Sequence, residues 1–423
     1  MYTILSSYLE NGLQVVLHKI PGCKMIGSGV WVKQGSKHES AETSGYSHFI
    51  EHLMINKDNT EKNKYQENVN KVYKKGVSMN AGTTKEYTYY YITGLADTLQ
   101  MSIETLASML LPSADIAEGI FENEKQVVTQ EAVSFYSSFN QIRERSSQAL
   151  YGADGVGRTI VGSVENIREA KLDQLQEVIQ ASYNPDNAVL VVVGDIDYDL
   201  TLELVYKAFR SWKDQQTISG QTAITEEPGI YLNPNESAKS AAISFAFRSP
   251  SYVSTSRNAV RVMSNIIGDT SMQSRLMKTI RYDHGLAYTV GSFVNFYEQC
   301  GTFGMMLVCS PENAQRAAQL IANEIVDVRK NGFTDDEIAM AKRKLETSRR
   351  LELSDIATHL LFLGKNAVYG KFFSLEEELR SIHRIHKDDI HESFRSTCTE
   401  EGAGIAAIGN LDIDQVMEAF EIA

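Results

Sequence analysis

An internal repeat constrains the fold of this chain more than any other feature of its sequence. The segment NAVLVVVGDIDYD at 187–199 resembles GAGIAAIGNLDID at 402–414. Each reads as a short apolar strand that ends in glycine and continues through a turn with aspartate into a helix. Gly194 corresponds to Gly409, which lies 215 positions later. The match predicts that the second half of the chain repeats the strand–turn–helix unit of the first.

Two further pairs of segments follow the same offset. GSGVWV at 27–32 falls on AISFAF at 242–247, and both read as strands. IFENEKQVVTQE at 120–131 resembles IAMAKRKLETS at 338–348, within a few residues of the offset, and both read as helices. Three matches in one order predict a duplicated unit of about 200 residues.

Strand and helix patterns do not alternate strictly within either half. Strand patterns cover 81–95, 285–296 and 301–309, and the last two form a hairpin-like pair. Helical patterns cover 97–111, 115–135, 171–182, 312–330 and 334–350. Runs of helices between hairpin-like strands favour an α+β fold over a parallel doubly wound sheet.

The repeat also predicts the domain limits. The segment 216–238 is polar and contains Gly, Pro, Asn and Ser, which is typical of a linker. We therefore expect an N-terminal domain at 1–215, a linker at 216–238 and a C-terminal domain at 239–423. Each domain is expected to be an antiparallel-rich sheet packed with helices.

Composition excludes several functional classes. The net charge of −13 argues against nucleic acid or an anionic membrane as the main partner. The sequence contains no run of 18 apolar residues, so it predicts no membrane span, and its N-terminus lacks a signal-peptide pattern. The four cysteines have no CxxC spacing and are expected to be reduced, with a disulfide pair as the alternative. The expected location is the cytoplasm.

The segment GYSHFIEHLM at 45–54 has the pattern of a metal-binding helix. His48 and His52 are four residues apart, so on a helix their imidazoles point the same way and can chelate one zinc ion. Glu51 lies on the same side, where a carboxylate can act as a general base. The order His-x-x-Glu-His is the inverted form of the commoner zinc-protease motif. The alternative is a helix whose histidines only border the core.

A catalytic zinc ion requires a third protein ligand and an open position. Glu124 and Glu131 are seven residues apart in FENEKQVVTQEAV, which places them on one face of a helix. We expect Glu131 to bind the metal and Glu124 to orient Glu131 or a histidine. The alternative for either glutamate is a solvated helix face.

Together these residues resemble the pitrilysin, or insulinase-like, family of zinc peptidases, in its small two-domain subgroup that is similar to mitochondrial processing peptidase. The family carries His-x-x-Glu-His followed by a glutamate ligand, and here Glu131 lies 79 positions after His52. The Glu-x6-Glu helix of the family matches Glu124 and Glu131. Further segments resemble family landmarks in the same order along the chain, at 9–17, 77–91, 181–197 and 274–290.

The resemblance implies roles for four more residues. Asn80 and Ala81 match the Asn-Ala pair on the edge strand that binds substrate, which implies strand addition by an extended peptide. Arg281 and Tyr288 match the Arg-x6-Tyr signature of the family's second domain. Tyr288 would donate a hydrogen bond to the tetrahedral oxyanion and Arg281 would hold a substrate carbonyl, in a closed state of the two domains.

The family also implies a fold, a reaction and partners. The first domain would carry the zinc site, and the second would be a copy without ligands. At the offset of 215, His48, Glu51 and His52 indeed fall on the apolar residues Met263, Ile266 and Ile267. The reaction would be endopeptidase cleavage of extended or unfolded peptides. Members of this length pair as homodimers or with an inactive relative, and some trim leader peptides in peptide maturation.

One departure and two alternative functions qualify the resemblance. After the motif the family shows a Phe-Lys-Gly-Thr-like stretch, whereas this chain has LMINKDNTEKNKYQ at 53–66, so the family's substrate preferences do not transfer. One alternative is a non-catalytic, substrate-binding subunit of a heterodimeric peptidase, but such subunits usually lose a ligand or the base. The other is a zinc-dependent binding module without turnover, in which Glu51→Gln would have no effect.

Overall fold

The computed structural model describes residues 4–56, 64–111, 116–213, 228–399 and 402–420. In chain order the strands are β1 (Ile4–Tyr8), β2 (Gln14–Lys19), β3 (Met25–Val32), β4 (Ser78–Thr83), β5 (Thr88–Leu95), β6 (Ala188–Gly194), β7 (Ile230–Pro234), β8 (Ala241–Ser249), β9 (Ala287–Phe296), β10 (Gly301–Cys309) and β11 (Ala403–Gly409). The helices are α1 (Tyr46–Ile55), α2 (Lys64–Tyr73), α3 (Leu99–Leu110), α4 (Glu118–Tyr136), α5 (Ile142–Tyr151), α6 (Val164–Glu169), α7 (Leu172–Ser182), α8 (Tyr198–Phe209), α9 (Arg257–Gly268), α10 (Ala314–Asn331), α11 (Asp335–Glu352), α12 (Ile356–Val368), α13 (Leu375–His383), α14 (Lys387–Thr397) and α15 (Ile413–Ala419). Within these described ranges, no helix is both long and apolar enough to span a membrane.

The first compact unit is built on a six-stranded sheet. It comprises residues 1–134, 159–222 and 350–375, and its strand order is β1-β2-β6-β3-β5-β4. Only β2 and β6 pair in parallel; every other neighbouring pair is antiparallel. Every residue of β6 is buried, because this strand lies between β2 and β3 and is covered on both faces. Its sequence, AVLVVVG, is accordingly a continuous apolar run.

The second compact unit repeats this sheet with one strand fewer. It comprises residues 135–158, 223–349 and 376–423, and its strand order is β7-β11-β8-β10-β9. Again only one pair, β7 with β11, is parallel. The order reproduces β2-β6-β3-β5-β4 of the first unit, so the predicted α+β fold with two related, antiparallel-rich domains is confirmed.

Two corresponding helices are exchanged between the halves of the sequence. α5 begins at Ile142 and α12 at Ile356, close to the 215-residue offset, yet α5 belongs to the second unit and α12 to the first. α12 packs on β3 and β6 so closely that a Cβ on Gly364 would lie 2.1 Å from the Trp31 indole. In the second unit, Ser146 of α5 donates a hydrogen bond to Ser244 of β8 at 2.8 Å. The compact units are therefore not contiguous, unlike the predicted domains at 1–215 and 239–423.

Part of the segment predicted as a linker at 216–238 forms a strand. Residues 216–227 lie outside the described residues. β7 lies within the remaining part and pairs in parallel with β11. Its residues alternate between exposed and half-buried, which is typical of an edge strand, and its Asn and Pro gave the segment a linker-like composition. β7 is the counterpart of β2, so the repeat offset itself predicts a strand here.

Candidate active site

The metal-binding motif lies on α1, and a buried carboxylate caps the start of this helix. The N–H groups of Gly45 and Ser47 donate to the Glu39 carboxylate at 2.8 and 2.7 Å. A negative charge at this position satisfies unpaired amides and interacts favourably with the helix dipole. Gly45 itself has φ of 100°, a conformation that favours glycine. Sequence analysis did not select Glu39, because it precedes the helix by seven residues.

The apolar face of α1 sets the position of the opposing helix, α4. Phe49, Ile50 and Leu53 are fully buried. The Phe49 ring stacks on Phe121 of α4, with 5.4 Å between ring centroids and 14° between planes. Because α4 continues for about four turns beyond Phe121, this contact places Glu124 and the later Glu131 opposite the histidines of α1.

The three predicted metal ligands are brought together. His48 Nε2 and His52 Nε2 lie 3.5 and 3.4 Å from Glu131 Oε2, and all three ligand atoms are within 4.8 Å of one another. Tetrahedral zinc with bonds of about 2.0–2.1 Å requires neighbouring ligand atoms roughly 3.3–3.4 Å apart. Two imidazole nitrogens and one carboxylate oxygen are also a usual ligand set for catalytic zinc. The residues present therefore fit a zinc ion.

Glu124 contacts the other nitrogen of one ligand. His52 Nδ1 lies 3.1 Å from Glu124 Oε2, and Asn56 Nδ2 donates to Glu124 Oε1 at 2.9 Å. A carboxylate at this position fixes the orientation and tautomer of a metal-binding imidazole. The sequence analysis expected Glu124 to contact either Glu131 or a histidine, and in the structure it contacts the histidine His52. Asn56 was not selected from the sequence, although it lies in the segment that departs from the family pattern.

Glu51 is held beside the ligands by the neighbouring strand. Thr83, the last residue of β4, donates from Oγ1 to Glu51 Oε2 at 2.7 Å. Burial raises the pKa of Glu51 and the nearby charge of Glu131 raises it further, whereas the Thr83 hydrogen bond and His52 act in the opposite direction. A half-buried carboxylate with a raised pKa is suited to accept a proton near neutral pH. Sequence analysis did not select Thr83.

Asn80 and Ala81 lie on the strand at the edge of the first sheet. Among the residues that the structure describes, β4 pairs only with β5, and its other edge is not paired. Asn80 is exposed, and its Oδ1 accepts a hydrogen bond from the Ala81 N–H at 2.8 Å. Thr83 lies two residues beyond Ala81 on this strand, and its side chain contacts Glu51 of α1. An extended peptide that paired with β4 would therefore pass beside the base.

Arg281 and Tyr288 lie close together in the second unit. The Arg281 guanidinium carbon is 4.8 Å from the centroid of the Tyr288 ring, within the range of a cation–π contact. Arg281 belongs to the π-helical turn Met277–Asp283, a type of distortion that is frequent at functional sites. Tyr288 is 81% exposed, so its hydroxyl is accessible to a ligand.

Comparison with known proteins gives two matching models of one family. Residues 14–163 match the model described as insulinase (peptidase family M16), and residues 169–345 match the peptidase M16 inactive domain. The first match contains His48, Glu51, His52 and Glu131, and the second contains Arg281 and Tyr288.

Relatives with similar sequences extend over nearly the whole chain. A protein of Bacillus subtilis named as an uncharacterized zinc protease is 28% identical over 400 residues, covering 93% of this chain and 95% of the relative. An uncharacterized zinc protease of Mycobacterium tuberculosis is 28% identical over 408 residues, covering 95% and 92%. A solved structure of a protease from Helicobacter pylori has a TM-score of 0.85 at 21% identity, covering 96% and 99%, and shows the same fold. The chain belongs to the insulinase, or pitrilysin, family of peptidases, family M16.

Proposed function

We propose that this protein is a zinc-dependent endopeptidase that hydrolyses extended or unfolded peptides. One observation carries the proposal: the ligand atoms of His48, His52 and Glu131 lie within 4.8 Å of one another. The base Glu51 lies on the same helix as both histidines. The names of the relatives in Bacillus and Mycobacterium, zinc proteases, support the same reaction.

Each residue of the site has a defined role in this mechanism. A zinc ion held by the three ligands would activate a water molecule and polarise the peptide carbonyl. Glu51 accepts the proton of the attacking water and passes it to the leaving amine. Glu124 holds the His52 ring in its ligating orientation. By the family resemblance, Arg281 would hold the substrate carbonyl and Tyr288 would donate a hydrogen bond to the oxyanion.

The free edge of β4 supports extended peptides as the substrate class. A peptide bound at Asn80 and Ala81 would pair main chain to main chain, and this pairing requires a segment without its own tertiary structure. Trimming of a leader peptide during peptide maturation is a narrower form of this proposal. A non-catalytic, substrate-binding subunit usually lacks a metal ligand or the base, whereas this chain has all three proposed ligands and the proposed base.

We also propose that the working form is a dimer, either of two copies or with a related, possibly inactive subunit. The chain has nearly the length of its relatives and carries one candidate metal site in its described residues. Sedimentation of the purified protein distinguishes a homodimer from a monomer that requires another subunit. A monomer that cleaves at full rate would contradict the dimer proposal.

Metal removal tests the proposed reaction. The purified protein is dialysed against a chelator and zinc is then titrated back, while cleavage of an unstructured peptide mixture and metal content by mass spectrometry are followed. We expect cleavage to disappear in the metal-free protein and to return as one zinc ion binds per chain. Cleavage that is unchanged by chelation would overturn the proposal.

A further inference from the structure

Thr83 joins the proposed base to the strand that we propose binds the peptide. Its hydroxyl lies 2.7 Å from Glu51 Oε2, a distance typical of a hydroxyl that donates to a carboxylate. Thr83 is also two residues from Ala81 on β4, the edge strand of the first sheet. One side chain thus contacts the base while its backbone belongs to the peptide-binding edge.

The surrounding hydrogen bonds determine the direction in which the Thr83 hydroxyl donates. Thr88 lies directly opposite Thr83 across the strand pair, with 3.4 Å between the two Oγ1 atoms. The buried Thr88 hydroxyl donates its own proton to the Gln34 carbonyl at 2.8 Å. The Thr83 proton is therefore directed to Glu51 Oε2.

A glutamate side chain has three rotatable bonds, so its proton-accepting oxygen needs an external contact to hold it in place. Misplacement of a reacting group by about 1 Å can lower a rate on the order of a hundredfold. We propose that Thr83 is a positioning residue, whose hydroxyl orients the Glu51 carboxylate for proton transfer from the edge strand that binds the peptide. This inference rests on the proposed peptidase function and assigns a residue that the metal motif does not contain.

Three variants separate positioning from a structural role. Thr83→Val keeps the branched shape and removes the hydroxyl, Thr83→Ser keeps the hydroxyl, and Thr93→Val is a matched control on the adjacent strand β5. We expect Thr83→Val to lower kcat about 10- to 100-fold with KM within twofold and zinc content unchanged. Thr83→Ser should restore most of kcat, and Thr93→Val should match the unmodified protein.

Crystal structures of the zinc-loaded unmodified protein and Thr83→Val provide a readout that needs no turnover. We expect the Glu51 carboxylate to leave its position in Thr83→Val and to keep it in Thr83→Ser. An unmoved carboxylate, an unchanged kcat, or equal losses in the valine and serine variants would overturn the inference. If the unmodified protein binds zinc but cleaves nothing, the proposed peptidase function fails, and the structures still decide whether Thr83 positions Glu51.

Discussion

Helices α1 and α9 occupy corresponding places in the two sheets, and only α1 carries the proposed metal ligands and base. α1 packs on β4 and α9 packs on β9, which are the edge strands at matching ends of the two sheets. α1 presents His48, Glu51 and His52, which are half-buried and polar. At the repeat offset, α9 presents Met263, Ile266 and Ile267, all of which are buried and apolar.

The difference teaches that this fold does not need the polar site. The same arrangement of sheet and helix forms in the second unit with apolar residues at the three positions. The polar residues that we propose as ligands and base in the first unit are therefore not required by the packing of sheet and helix, which supports a chemical role for them. A residue of α9 placed in α1 should reduce metal binding and cleavage, whereas a residue of α1 placed in α9 should reduce stability.

The largest effect is expected when α1 receives a residue of α9. His52→Ile, which copies Ile267, removes one of three protein ligands. Metal-binding free energies of roughly 10–16 kcal/mol are shared over a ligand set, so we expect zinc binding to weaken at least about a hundredfold and cleavage to be undetectable. Competition with a chelator of known affinity measures this, with Ile267→Leu as the control. Zinc binding within twofold of the unmodified protein would remove His52 from the ligand set.

The reverse exchange should reduce stability instead. Ile266→Glu, which copies Glu51, places a carboxylate where 5% of the side chain is exposed. Without a partner for the charge, we expect the free energy of unfolding to fall by about 3–5 kcal/mol. Urea unfolding measures the change, and Glu51→Ile in the first unit should leave stability unchanged or raise it. A loss below 1 kcal/mol would mean that the α9 face tolerates a charge as α1 does.

Glu124 gives a smaller effect, because it acts on the metal only through His52. Glu124→Ala should weaken zinc binding about 10- to 100-fold while all three ligands remain. Glu122→Ala, on an exposed position of the same helix, is the matched control and should bind zinc like the unmodified protein. Equal zinc affinities for the two variants would show that the 3.1 Å contact between His52 and Glu124 does not support the metal site.

The two units should also differ, more modestly, in their response to acid. His18 of β2 and His359 of α12 pack edge to face at 5.0 Å, and burial, with a smaller contribution from the charge of His359, lowers the pKa of His18 to about 4. The corresponding positions of the second unit hold Asn233 and Glu144. Because the unfolded chain binds more protons below about pH 6.5, stability should fall as pH decreases from 6.5 towards 4, by about 1 kcal/mol per pH unit for His18.

His18→Leu should reduce this dependence, to which the buried His38, whose pKa is also lowered to about 4, contributes as well. His284→Asn at an exposed position should leave the dependence unchanged. Unfolding by urea at several pH values measures the slope, and hydrogen exchange assigns it to a unit. The first unit should open before the second as the pH falls. An equal slope in His18→Leu and the unmodified protein would show that the buried histidine pair does not cause acid sensitivity.

The duplication and the proximity of the proposed ligands could be predicted from the sequence, because repeats and short motif spacings are visible along the chain. The offset of Gly194 and Gly409 indicates the duplication, and the spacing of His48, His52 and Glu131 predicts that their side chains meet at one site, where their ligand atoms lie within 4.8 Å of one another. β7 was missed because its Asn and Pro resemble a linker, although the repeat offset from β2 predicts a strand there.

Other features depend on contacts that sequence spacing does not encode. The sequence analysis predicted neither α12 nor the sheet that it covers, so the exchange with α5 was not predicted. Thr83 contacts Glu51, and Asn56 contacts Glu124. The two residues of each pair are far apart along the chain. Only the packing of α1 against β4 and α4 brings them together.

A comparison of the unmodified protein with Glu51→Gln tests the central claim most directly. Glutamine keeps the shape of glutamate but does not accept the proton, so zinc content should be equal in both proteins. Cleavage of an unstructured peptide mixture should fall about 10²- to 10⁴-fold in the variant, as expected for loss of a general base. Absence of zinc from the unmodified protein, or equal cleavage by both proteins, would contradict the account.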